Sequence, residues 1–107
     1  MLTVVETPEF QKLASKIWTE QELHDFIDWI AVNPQAGDVV RGTDGARKVR
    51  WAVHGRGKSG GVRVIYLHLS ENEILLLLTI YAKADRGSMT KKEINDRKRS
   101  HDNQKPQ

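Results

Sequence analysis

The chain predicts an α+β domain: a small, mostly antiparallel β-sheet, two N-terminal helices packed on one of its faces, and a marginal C-terminal helix. Three observations predict it. Two stretches near the N-terminus repeat apolar residues at helical spacing, each behind a capping signal. Three later stretches are strand-like runs separated by turn residues. Between the two groups, residues 41–63 read RGTDGARKVRWAVHGRGKSGGVR and hold seven Lys or Arg against one acid, Asp44. Within that run Val49, Trp51 and Val53 alternate with Lys48, Arg50 and Ala52, so the charge rides on a strand that also carries a core face. The implied order is β-α-α-β-β-β.

Each element has its own warrant. Leu2 to Glu6 is a short strand with two adjacent valines. Thr7 followed by Pro8 is an N-cap with proline at the first helical position, and Phe10, Leu13, Ala14 and Ile17 follow on one face. Thr19 and Glu22 form a capping box for a second helix, whose core stripe is Leu23, Phe26, Ile27 and Ile30. Asn33-Pro34 ends it, because the proline ring disfavours helical geometry in the residue before it. The pair is a poor helix-turn-helix: its second helix bears Glu22, Asp25 and Asp28, which do not suit a groove between phosphates. Gln35 to Ala46 is a loop, Arg47 to Val53 a strand, His54 to Gly61 a glycine-rich connection and Val62 to Leu69 the next strand. After a tight turn at Ser70-Glu71-Asn72, Glu73 to Tyr81 is apolar almost throughout, which places it in the middle of the sheet with both faces covered. Thr90 and Glu93 make another capping box, but Ile94 is the one apolar residue behind it, so Lys91 to Gln107 is a marginal helix fading into a disordered tail. Residues 1–90 thus form a single domain, and 91–107 a basic C-terminal helix and tail.

Size and composition exclude several classes. A chain of 107 residues is one domain, and at this length it buries roughly 65% of its unfolded surface without staples. Cysteine is absent, which removes disulfides and thiolate metal sites and fits a reducing compartment. The start MLTVVETPEF lacks the basic n-region of a signal peptide. The longest apolar run, Ile74 to Leu78 extended to Tyr81, is too short to span a bilayer, so the chain reads as soluble and cytoplasmic with no membrane partner. Net charge is only +3, but its distribution is uneven: Glu20 to Asp38 has five acids and no Lys or Arg, and Lys83 to the end has eight basic residues and four acids. The basic density of 41–63 demands an opposing anion, either the phosphates of a nucleic acid or an acidic partner.

The motifs narrow this. GRGKSGG at Gly55 to Gly61 resembles a phosphate-binding P-loop, but Ala52 stands where the first glycine is required and a strand follows where a helix is needed. A basic loop carrying Arg56 and Lys58 that embraces a nucleic-acid backbone is the better reading. Lys48 and Arg50 share one strand face, Arg63 lies on the neighbouring strand and Lys83 follows the last one. In a hairpin these four can converge on one patch. Arg47 adds to the RNA-binding set, and Tyr66 and Tyr81 are able to stack on bases, although core packing suits either alone. Of the four histidines, His54 and His68 are the one pair that could act together as acid and base. No metal-ligand spacing is present, so neither a metal nor another cofactor is expected.

The string PQAGDVVRGTDGARKVRWAVHGRGKSGGVRVIYLHL, the strand ending TIYAKAD and the capping box at Thr90 together resemble the RelE/HigB superfamily of toxins from bacterial toxin–antitoxin pairs, and the HigB-type branch most. The resemblance runs from Glu6-Thr7-Pro8 to about Glu93. It implies a RelE-like fold and an mRNA interferase, a metal-independent endoribonuclease that enters the ribosomal A site and cuts messenger RNA during translation. The implied partners are a cognate antitoxin, the message and the ribosome. By the same resemblance Arg63, in Gly60-Gly61-Val62-Arg63, falls on the arginine that contacts the scissile phosphate. Lys48 and Arg50 fall on the basic pair of the preceding strand, and Lys83 near the basic residue after the last strand. Many relatives carry a tyrosine close to the C-terminus that helps activate the attacking hydroxyl; this chain has none after Tyr81.

Chemically, Arg63 would donate paired hydrogen bonds to the phosphate oxygens as charge builds, while Lys48 and Arg50 position the backbone. Lys48 or Lys83, crowded by other cations, is the candidate general base. Two rival readings share the fold: a ParE-like poison of DNA gyrase, and a nucleic-acid-binding module without catalysis.

Overall fold

The computed structural model describes residues 2–52, 61–83 and 86–103, with side chains to 101. Val53, His54, Arg56, Lys58 and the tail beyond Asn103 lie outside the described residues. The elements run β1 (Thr3–Glu6), α1 (Pro8–Ile17), α2 (Glu20–Val32), β2 (Asp38–Val39), β3 (Arg47–Trp51), β4 (Val62–Leu69), β5 (Ile74–Ala82) and α3 (Lys91–Asn103). They build one five-stranded sheet in the order β1-β5-β4-β3-β2.

The caps form as their residue types require. The Thr7 hydroxyl accepts the Phe10 N–H at 3.1 Å and donates to Leu78 O at 2.9 Å, so one side chain starts α1 and ties it to β5. Thr19 and Glu22 exchange both hydrogen bonds of a capping box, with Thr19 N–H donating to Glu22 Oε1 at 2.8 Å. Thr90 and Glu93 repeat the device at the start of α3.

The sheet is mixed. β5–β4, β4–β3 and β3–β2 are antiparallel, but β1 pairs with β5 in parallel, because the α1–α2 excursion returns the chain on the far side. β5 is an inner strand as expected and covered on both faces, but the central place belongs to β4. The loop expected at Gln35 to Ala46 contains a two-residue strand, β2, too short to leave an alternating pattern in the sequence. Opposite Ile65–Tyr66 the pairing shifts from Thr79 to Leu77, a β-bulge that leaves Leu78 unopposed and lets Leu77 and Ile80 point into the same core.

That core lies between the sheet and the two helices on one face. Phe10, Ala14 and Trp18, with Phe26 and Ile30, meet Val49, Val62, Val64, Tyr66, Leu77 and Ile80. The other face has a smaller cluster, in which Ile94 of α3 joins Ile65, Leu76, Leu78 and Tyr81. Ile94 is only 1% exposed, so α3 is docked rather than frayed. The expectation of a marginal helix missed its polar fastenings. Arg97 pairs with Glu9 of α1 at 2.7 Å, Asn95 Nδ2 donates to Gly42 O at 3.0 Å, and Lys98 Nζ donates to Thr43 O.

Candidate nucleic-acid interface

Cross-strand register decides where the cations go. Arg50 stands opposite Arg63, and Arg63 opposite Tyr81. Directly opposed residues share a face of a sheet, so these three side chains form a row across β3, β4 and β5. Lys48, two residues along β3, leaves the same face. Arg50, Arg63, Lys48 and Tyr81 line one open pocket of about 310 Å³, and Lys83 closes it from the end of β5. All four residues expected to converge are therefore brought together. The remaining walls come from two residues that sequence reasoning missed, Asp38 and Ser88.

Two arginines thus stand directly opposite one another across the β3–β4 pair. The local backbone supports this geometry. Gly61, which enters β4 two residues before Arg63, has φ of 69° and sits so close to the preceding strand that an added Cβ would lie 2.3 Å from Trp51 O. Its carbonyl accepts the Lys83 N–H at 3.3 Å, so one residue fixes the approach of both β4 and Lys83.

Asp38 is placed by a clamp beneath its loop. The buried Tyr66 hydroxyl donates to Pro34 O and accepts the Gly37 N–H, each at 2.9 Å. Burial pushes the Tyr66 phenol up from its ordinary value, and the Gly37 hydrogen bond partly opposes that. From the same side Arg47 Nη1 donates to Gly37 O at 2.6 Å and to Gln35 O at 3.3 Å. Arg47 thus lies on the opposite sheet face from the pocket, engaged with the loop. Gly37 admits no side chain, since a Cβ would lie 2.9 Å from Lys48 O and 3.0 Å from the Tyr66 ring. These contacts set Asp38 opposite Lys48 in the β2–β3 register. The signal was present in the pattern G-D-x-x-x-G-T from Gly37, but a loop reading gave Asp38 no direction.

The third wall is held from α3. Arg86 donates to both carboxylate oxygens of Glu93, at 2.8 and 2.9 Å, and its guanidinium lies 5.5 Å from the Tyr81 ring centre. The Thr90 backbone N–H and then Arg86 hold the Glu93 carboxyl down to about 2. The Tyr81 hydroxyl accepts the Met89 N–H at 3.4 Å, and Tyr81 as a whole is 7% exposed. The 86–90 segment, with Ser88 facing the pocket, is thereby fixed to the pocket floor.

The histidines lie elsewhere among the described residues. His68 pairs with Leu75 at the far end of β4 and is half-buried, His24 is exposed on α2, and His101 is near the end of α3. His54 lies outside the described residues, so the His54–His68 pair has no geometry here. Among the described residues no group of three or more His, Cys, Asp or Glu could hold a metal ion. None of the described helices is long and apolar enough to cross a membrane.

No protein-family model matches the chain. Solved structures do. The isolated Escherichia coli RelE toxin aligns with a TM-score of 0.59 at 15% identity, covering 94% of this chain and 99% of that one. A double arginine-to-alanine mutant of the same toxin in the free state aligns at 0.59 and 15%, over 78% of this chain and 85% of that one. The toxin of the intact E. coli RelBE toxin–antitoxin complex also gives 0.59 and 15%, over 77% and 96%. The α+β architecture described above is therefore a RelE-like fold, spanning most of the chain.

Proposed function

We propose that this protein is the toxin of a toxin–antitoxin pair, of the HigB-type branch, and that it cuts messenger RNA on the ribosome without a metal. The observation that carries the reading is the convergence of Lys48, Arg50, Arg63 and Lys83 on one pocket of a RelE-like fold. Attack by a ribose 2′-hydroxyl on the adjacent phosphate loads negative charge on the non-bridging oxygens. Arg63, facing Arg50, meets that charge with fixed donors, and preorganised donors of this kind contribute roughly 10²–10³ in rate each. Lys48 and Lys83 hold the backbone on either side. A pocket of about 310 Å³ admits one phosphodiester with parts of its flanking nucleosides. Entry into the ribosomal A site supplies the message in the strained form that this geometry suits.

The partner is an antitoxin, since one of the matched toxins is held in a complex with its own. The protein acts in the cytoplasm, where ribosomes and message are.

Primer extension on a message undergoing cell-free translation tests the reading. The wild type creates new 5′ ends only when ribosomes are present, and Arg63→Ala creates roughly 10²–10³-fold fewer. An untouched message with active wild-type protein overturns it, and points to the gyrase-directed or purely binding alternatives.

A further inference from the structure

The geometry points to Asp38 as the proton acceptor for the attacking 2′-hydroxyl, an inference that rests on the ribonuclease reading above. A general base needs a lone pair within reach of the proton it takes. Most of the pocket cannot supply one. Arg50 and Arg63 do not deprotonate in proteins. Lys48 and Lys83 arrive as ammonium ions and must first lose the charge for which the phosphate selects them. The Tyr81 hydroxyl already accepts the Met89 N–H, and its ring is buried under Arg86. Ser88 offers a neutral hydroxyl, a weak proton acceptor. Asp38 is the one carboxylate among the described lining residues.

The fold builds this position. Tyr66 and Arg47 grip the Pro34–Gly37 loop from below, Gly37 has no room for a side chain, and the next residue enters β2 opposite Lys48. These contacts hold the backbone immediately before Asp38. Among the described residues, the titratable groups lining the pocket with Asp38 are Lys48 and Arg50 from β3, Arg63 from β4, Tyr81 from β5 and Lys83 just after it, and Arg86 and Glu93 lie beyond Tyr81. Arg47 and Tyr66 lie on the other face of the sheet.

The step balances without another reactant. The 2′-hydroxyl proton passes to a carboxylate oxygen of Asp38 as the 2′-oxygen forms its bond to phosphorus. The bond from phosphorus to the 5′-oxygen breaks, and that oxygen takes its electron pair and a proton from a pocket ammonium. The products are a 2′,3′-cyclic phosphate and a 5′-hydroxyl. Lys48 and Lys83 thus act while charged, as phosphate clamps and as the source of the leaving group's proton.

The test is single-turnover cleavage of ribosome-bound message as a function of pH, by the wild type, Asp38→Asn and Asp38→Glu. Asp38 is exposed, and the amide is isosteric, so the fold is retained. Asp38→Asn should cut about 100-fold or more slowly, and its profile should lose the acid limb that wild type and Asp38→Glu both show. An asparagine variant with wild-type rate and profile overturns the inference and leaves the ribonuclease reading standing. A variant that weakens only the concentration dependence, with the pH profile intact, also overturns it, since Asp38 would then merely bind. A wild type that cuts nothing overturns both.

Discussion

The two faces of the one sheet differ in what they are built for. On the helical face, β3, β4 and β5 present Val49, Val62, Val64, Leu77 and Ile80 to α1 and α2, and the contact is sealed by Phe10 and Phe26. On the other face, the same strands present Lys48, Arg50 and Arg63 beside Ile65, Leu76 and Leu78, against which α3 docks through Ile94. Period-two alternation separates the two sets along β3 and β4, and in β5 the bulge at Leu78 shifts it. The difference teaches that the larger core and the candidate site lie on opposite faces, so that cations stand in a row on a sheet whose reverse side is fully packed, with the smaller α3 cluster beside them. Each change below tests whether that segregation holds.

The largest effect is expected on the packed face. Phe10 is 0% exposed, at the meeting of α1 and the sheet. Truncating it as Phe10→Ala should cost about 3–5 kcal/mol of unfolding free energy. Chemical denaturation measures that loss. Cleavage per folded molecule should not change, and a proportional fall in it would show that the two faces are coupled. The mirror experiment is Arg63→Ala. Cleavage should fall by roughly 10²–10³, while the melting temperature should fall far less than for Phe10→Ala. A large destabilisation would mean that the pocket face holds the fold together as well.

Tyr66 tests the boundary, since its ring belongs to the packed core and its hydroxyl serves the pocket. Tyr66→Phe leaves the buried Gly37 N–H without its acceptor, a loss of about 1–3 kcal/mol. It should also lower cleavage by loosening the Asp38 loop. Alkali should loosen the same clamp from its other side, since a phenolate no longer donates to Pro34 O. The phenol's raised pKa gives stability that is present below its ordinary value of 10.0 and lost as pH rises through the higher one. Stability loss without any loss of cleavage would detach the clamp from the site.

How much of this was legible follows from the range of each signal. Caps and helix stripes are local, and Thr7, Thr19, Phe10 and Phe26 behave as their spacing says. The converging cations were readable because Lys48 and Arg50 share a parity, and the hairpin register then had to bring Arg63 near them. Asp38 was not readable, because a two-residue strand has no periodicity and its direction comes from Tyr66, 28 positions away. The docking of α3 was hidden for a similar reason. One apolar residue, Ile94, is a weak local signal, and the fastenings to Glu9, Gly42 and Thr43 are long-range and polar. The parallel pairing of β1 likewise depends on where α2 delivers the chain, which no window of sequence shows.

The smallest predicted effect probes how firmly the pocket's third wall is held. Glu93 is held at about 2 against an ordinary 4.5, by the Thr90 N–H and by Arg86. A depressed carboxyl gives stability that is fully present above the ordinary value and is lost as pH falls through about 2, so acid should release α3 across that interval. Glu93→Gln keeps an acceptor for the Thr90 N–H but removes the charge facing Arg86, so its melting temperature should fall less steeply in acid than the wild type's. Salt should narrow the gap, since both partners are about one-third exposed and screening reaches them. Equal acid slopes would mean that Arg86 is steered by the Tyr81 ring alone. The 86–90 wall would then answer to the pocket floor rather than to the charge on α3.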